Sequence, residues 1–439
     1  MYRRSLRLVA LVLSLLTFLL VAPTGVTVLG RGEARAETEP GADDEASIEP
    51  TLAPASAEGA ARKNWKVRLD NILKGRRIGV SVRLGDRYLY NWNAKTRRVP
   101  ASNEKLLMSM ALFNAMDPTS QLETKVAAVD AGAEKIVGDL WLIGRGDPSL
   151  TGGGSFGKGL PFTPTRIARL AKKVKQLGIR RITGSVMGAV SYFSHDWFAP
   201  GWKSDFPAEQ VPLATALSFE GNTAGGKHIS DPEARAAKSL TKKLRAIGVR
   251  VAGGSGTGAP PPNIDTVAAV RSVPLVRLAR YTNFNSSNYF AEMLGKQLGV
   301  IARGAPGTIA KGGSGIEAWA EDLGVTVVAH DSSGLSYSNL VAPKGFVRLL
   351  EFAATQPWGS KLRSTLPSGN QGTLEGRLHG VQVRAKTGTL SERSALSGYV
   401  FLDRVGTWAS FSIISQGMAK STAVDIENRV VKLLEDRAN

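Results

Sequence analysis

Cysteine is absent from the 439 residues. No disulfide can staple the fold, and no thiolate can serve as nucleophile or zinc ligand. Histidine is scarce too. His195, His228, His330 and His379 are the only four, and no two stand at metal-ligand spacing, which argues against a zinc enzyme. No metal and no cofactor is implied. Acidic residues are outnumbered, 37 against 56 basic ones, for a net charge of +19. A basic surface favours anionic partners. For an exported chain that points away from nucleic acid and toward a polyanionic cell envelope, with generic colloidal charge as the plain alternative. Long hydrophobic runs are missing except at the very start. The composition is otherwise that of a globular protein, 43% hydrophobic and 21% charged, and the length suits two or three domains.

The one long apolar run follows Arg3, Arg4 and Arg7 and extends uncharged from Leu8 to Ala22. Ala34-Arg35-Ala36 then offers small residues at the two positions an exporting peptidase reads, so residues 1–36 are expected to be a signal peptide cleaved after Ala36. An uncleaved membrane anchor is the rival reading, because Gly25 to Gly30 is uncharged as well. Residues 37–62, rich in Ala, Glu, Pro and Asp without an apolar period, are expected to be a disordered linker.

The stretch Ser102 to Met116 is apolar nearly all round after Lys105, which predicts a helix buried in a sizeable core. Ser102 and Lys105, three apart at its start, can meet on one face. A hydroxyl beside an amine is what a serine nucleophile with a lysine base requires, and burial lowers the pKa of such an amine toward neutrality. A capping serine and a surface lysine is the plain alternative.

Elsewhere the pattern mixes strands and helices. Lys63–Leu73 reads as a short helix, and Ile78–Leu84 and Arg87–Asn91 as a hairpin about Gly85-Asp86. Thr124–Val129 and Lys135–Ile143 read as strands. Two echoing units follow, each a basic helix closed by glycine and then a strand: Thr165–Gln176 with Ile179–Val186, and Ala236–Ala246 with Val249–Ala252. The basic faces of those helices are either solvated or able to bind an anionic polymer. Ala395–Leu402 and Thr407–Ile414 read as adjacent central strands, and Thr422–Asp436 as a closing helix.

Two more short motifs bear on Ser102. Ser286-Ser287-Asn288 heads a plausible helix and can bring a hydroxyl and an amide to a cleft. Lys386-Thr387-Gly388-Thr389 ends a strand-like run; its lysine and hydroxyls can hold a carboxylate, and Gly388 lets the backbone lie close to a ligand. The order S-x-x-K, S-x-N, K-T-G is the signature of serine penicillin-recognising enzymes. Further segments agree: G-D-P-S-L from Gly146, S-S-N-Y-F-A-E-M-L from Ser286, D-S-S-G-L-S-Y-S-N-L-V from Asp331, and G-T-L followed by Arg377. With them the chain resembles the D-alanyl-D-alanine carboxypeptidase/endopeptidase family, the low-molecular-mass class C penicillin-binding proteins, from Trp65 to Leu434. It departs where the family often has Ser-Asp-Asn and Asp-Gly-Ser-Gly-Leu.

The resemblance implies an α/β (α+β) fold of the β-lactamase/transpeptidase type, with a central antiparallel sheet flanked by helices. It implies a discontinuous catalytic domain, residues 63–123 and 271–439, interrupted by an inserted α/β module, 124–270, perhaps of two subdomains. It implies that Ser102 is acylated by a peptide ending in D-Ala-D-Ala and that Lys105 takes its proton. Ser286 would relay a proton to the departing amine, Asn288 would orient Lys105 and the substrate amide, and Lys386, Thr387 and Thr389 would bind the terminal carboxylate. Peptidoglycan stem peptides are then the substrate and β-lactams covalent inhibitors. Asp147 is a candidate for holding the free amine of a diamino acid side chain, with a turn role beside Pro148 as the alternative. A β-lactamase or esterase of the same superfamily, or a non-catalytic wall-binding protein, are the competing functions.

Overall fold

The computed structural model describes residues 55–437. The expected signal segment, 1–36, and most of the expected linker lie outside the described residues. A helix runs through Ala55–Leu73, so residues 55–62, expected as linker, are helical. The alanine-rich sequence there has high helix propensity but no apolar period to reveal it.

The sheet at the centre of the molecule has five antiparallel strands, in the order Val383–Leu390, Arg393–Leu402, Thr407–Gln416, Ile78–Leu84, Arg87–Trp92. Successive residues of a strand face opposite sides, and both sides here are buried. Leu396 and Val400 pack with Trp65, Leu69, Ile426, Val430 and Leu434 of the Ala55–Leu73 and Lys420–Arg437 helices. Ala395 and Tyr399 face the other way, into the larger core around the Glu104–Ala115 helix. That helix is buried from Glu104 through Phe113, as its unbroken apolar run predicts.

The Gln121–Ala128 and Asp265–Pro274 strands pair antiparallel and frame the intervening chain. Three segments there share one plan: a short strand, a glycine-containing turn, a second strand. They are Lys135–Val137 with Leu140–Gly144, Arg181–Ile182 with Val186–Ala189, and Arg250–Val251 with Ser255–Gly258. The first members pair parallel in one sheet and the second members in another. Lys135–Ile143 and Ile179–Val186, each expected as one strand, are therefore broken in two and shared between sheets. The breaks fall at Gly138, which takes a positive φ of 81°, and at Gly184, where a Cβ would lie 2.5 Å from the Gly138 carbonyl oxygen. The Ile167–Gln176 and Pro232–Ala246 helices bury Ile167, Leu170, Val174, Ala236, Leu240 and Leu244 against this second core. Two of their cations are tied down locally. Lys173 Nζ donates to the Ala269 carbonyl at 2.8 Å and Arg245 to that of Gly253 at 2.7 Å.

Candidate active site

Ser102 does not cap the buried helix. It lies on a 3-10 turn, Ala101–Asn103, that leads into it, and Asn103 occupies the cap position without a side-chain bond. Ala101 takes a positive φ of 47°, a conformation that a non-glycine residue holds only when its surroundings impose it. Part of those surroundings is Gly388. A Cβ there would stand 2.6 Å from the Pro100 carbonyl oxygen and 3.1 Å from Ser102 N, so the absence of a side chain lets the Val383–Leu390 strand lie directly on the turn. Gly388 thus allows close approach to the serine's own backbone.

The Lys105 side chain, fully buried, reaches back from the first turn of the helix. Its Nζ donates to Ser102 Oγ at 3.0 Å, to Asn288 Oδ1 at 2.7 Å and to the Ser333 carbonyl at 2.5 Å. Asn288 begins the Asn288–Arg303 helix, which Ser287 caps by accepting from Phe290 N. Ser286, just before it, holds a φ of 56°. Its Oγ accepts from Lys386 Nζ at 2.9 Å, and Lys386 also donates to the Thr387 carbonyl at 2.7 Å. The three motifs, up to 284 residues apart in sequence, therefore meet as two lysine–hydroxyl pairs.

Burial lowers the Lys105 ammonium to about 8, against the opposing pull of Asp331, Glu292 and Glu104. Burial also lowers Lys386 well below the ordinary lysine value, assisted by repulsion from Lys105 and Lys420. Desolvation disfavours the charged amine in both. Amines so tuned can accept and return protons near neutral pH.

The two hydroxyls and Thr389 open onto a cleft of about 330 Å³, walled by Lys203, Phe206, Gln210, Leu335, Tyr337 and Leu390. Thr387 is almost buried and does not line that cleft. Asp147 also lies elsewhere. It is 1% exposed, its Oδ1 accepts from Ser149 N and Ser149 Oγ at 2.9 and 2.7 Å, and it is not among the cleft residues. These bonds are those of the turn beside Pro148. His330 and His379 do not line the cleft either. No cluster of three or more potential metal ligands occurs among the described residues.

Sequence reasoning missed the contributions of 199–211 and of the loop after Asp331. Gln210 accepts from Asn288 Nδ2 through its carbonyl at 3.1 Å, and Lys203 lies 5.7 Å from the Tyr337 ring centre. Asp331 anchors the loop: its carboxylate accepts from Trp202 Nε1, Gly334 N, Ser336 N and Asn339 Nδ2. The D-S-S-G-L segment was legible as a motif, but its long-range partners were not.

Comparison with known proteins places this geometry. The profile of the D-Ala-D-Ala carboxypeptidase 3 (S13) family matches residues 66–225 and 217–437. The chain belongs to that family. Among similar family proteins is a carboxypeptidase DacB of Mycolicibacterium smegmatis, 28% identical, the match covering 97% of this chain and 96% of the relative. A D-alanyl-D-alanine carboxypeptidase of Actinomadura sp. strain R39 is 27% identical over 80% of this chain and 79% of its own. Penicillin-binding protein 4 of Haemophilus influenzae shares the fold, with a TM-score of 0.69 at 21% identity, covering 84% of this chain and 99% of that one.

Proposed function

We propose that the chain is a serine D-Ala-D-Ala carboxypeptidase/endopeptidase that acts on peptidoglycan stem peptides through an acyl-enzyme on Ser102. The observation that carries this reading is the bridge from Lys105 Nζ to both Ser102 Oγ and Asn288 Oδ1, beside the Lys386–Ser286 pair. Neutral Lys105 takes the hydroxyl proton as Ser102 Oγ attacks the penultimate D-Ala carbonyl. The backbone N–H groups of Ser102 and Thr389 receive the developing oxyanion; losing one such donor costs about 3 to 4 kcal/mol. As the C–N bond breaks, Ser286 hands a proton to the departing amine and is resupplied by Lys105, directly or with the help of Lys386, which leaves Lys105 neutral again. Water then attacks the ester and gives a proton to Lys105, which passes it to Ser102 Oγ as the acyl bond breaks and the shortened peptide leaves. Lys386, with the hydroxyls of Thr387 and Thr389, is assigned to the terminal carboxylate; of the three, Thr389 lines the cleft. A β-lactam enters the same sequence and stalls at the ester.

The chain is further proposed to work outside the cytoplasm, exported or held by its N-terminus, with the basic surface resting on an anionic envelope. Residues 63–123 and 271–439 would form the catalytic domain and 124–270 the inserted module, which lends Lys203, Phe206 and Gln210 to the cleft.

Mass spectrometry after incubation with labelled penicillin tests the central claim. One covalent adduct is expected on the native chain and none on Ser102→Ala, together with loss of one residue from a peptide ending in D-Ala-D-Ala. A native chain that gains no adduct, or that turns over β-lactam rapidly without cutting peptide, would overturn it.

A further inference from the structure

The Asn288–Arg303 helix acts on Lys105 twice. Asn288, at its first position, meets Nζ directly. Glu292 stands four residues on, on the same face of the helix, and is 1% exposed. Its Oε1 accepts from Ser332 N at 3.1 Å and from Ser333 N at 2.7 Å. The carbonyl of that same Ser333 accepts from Lys105 Nζ. The peptide carrying this carbonyl is fixed at its other end as well, because Gly334 N donates to Asp331 Oδ1 at 2.9 Å. Gly334 has a positive φ of 78°, and a Cβ on it would lie 1.9 Å from the Ala101 carbonyl oxygen. The loop is thus pressed against the turn that carries Ser102.

A buried carboxylate needs partners, and these two N–H groups supply them to one oxygen only. Glu292 Oε2 has no hydrogen-bond partner. A fully buried acid with half its capacity unused is costly as a purely structural element. We infer that Glu292 is a positioning residue for the reaction: it clamps the Ser332–Ser333 backbone so that the Ser333 carbonyl holds Lys105 Nζ within reach of Ser102 Oγ.

Charge follows from the same geometry. The groups acting on Lys105 are Glu104 on its own helix, Glu292 on the neighbouring helix, Asp331 on the loop and Lys386 on the strand, with Glu317 behind Glu104. Glu292 is itself pushed up to about 7, first by burial and then by Asp331. Its negative charge, where it is ionised, holds the proton on Lys105.

The inference rests on Lys105 serving as the base of Ser102. Penicillin acylation rate against pH, followed on the full chain, tests it. Glu292→Leu removes the clamp, and its plateau rate is expected to fall about tenfold or more, the scale of one charge-assisted hydrogen bond. Glu292→Gln keeps an acceptor for the two N–H groups but drops the charge; its plateau is expected within about threefold of native, with the rising limb moved to lower pH. Glu292→Leu acylating at the native plateau rate would overturn the inference, as would Glu292→Gln failing as badly as Glu292→Leu. Should Glu292→Leu not fold, the limb of Glu292→Gln decides alone: a downward move supports the coupling and an unmoved limb defeats it. A native chain that does not acylate would instead defeat the functional reading beneath it.

Discussion

At the scale of single residues, the two buried lysines divide the chemistry. Lys105 touches the nucleophile and Lys386 touches Ser286, so their removal should be felt differently. Lys105→Ala is expected to cut acylation by about 10² to 10⁴, the range for losing a positioned general base. Lys386→Ala should act mainly on KM for peptides with a free terminal carboxylate. Separate kcat and KM measurements check both, and equal small effects would undo the assignment. The direction of pH dependence follows from burial. Lys105, lowered to about 8, is protonated and idle below that pH and able to accept a proton above it, so native acylation should rise through about pH 8. Asp147 belongs to a different ledger. Asp147→Ala should cost about 1 to 2 kcal/mol of stability through the lost Ser149 bonds, with kcat/KM nearly unchanged, which thermal unfolding beside a peptide assay will register. Ser102 and Lys105 were legible in the sequence because their three-residue spacing lets them meet and the S-x-N and K-T-G motifs follow in order. Glu292, Lys203 and Gln210 were not, because their partners lie on loops and helices 40 to 134 residues away.

Secondary-structure elements meet here through missing side chains as much as through present ones. Gly295 packs on Ser332, where a Cβ would stand 2.0 Å from Oγ, and Gly299 and Gly312 bring the Asn288–Arg303 and Ile309–Asp322 helices together at backbone distance. The tightest requirement for function is at Gly388. Gly388→Ala must push the strand away from Pro100 and Ser102. The expected result is a loss of about 1 to 3 kcal/mol in stability and a fall in penicillin acylation larger than that destabilisation explains. Denaturant unfolding and adduct formation on the same sample separate the two. The sequence announced the central hairpin, the two inner strands and the buried helix, whose periods are strong and local. It did not announce that Lys135–Ile143 and Ile179–Val186 would each serve two sheets. Apolar residues continue across both breaks, and what decides them is parallel pairing with segments up to 69 residues distant.

At the scale of the whole molecule, most cations among the described residues lie outside, while Glu104, Lys105, Glu292, Asp331 and Lys386 are buried around the three motifs. Attraction to an anionic wall should therefore be a surface effect and screen accordingly. Binding to isolated cell walls is expected to weaken steeply between about 0.05 and 0.5 M salt, as the Debye length shrinks from above 10 Å to a few ångströms. Acylation by a neutral β-lactam ester should change far less, and sedimentation assays beside adduct counting will show whether the two separate. The concealment of Lys105 and Lys386, both 0% exposed, has a practical corollary. An acetylating reagent applied briefly to the native chain should decorate its many peripheral amines and spare these two. Peptide mapping of the spared positions would then report, without substrate or antibiotic, how often the centre of the molecule comes open.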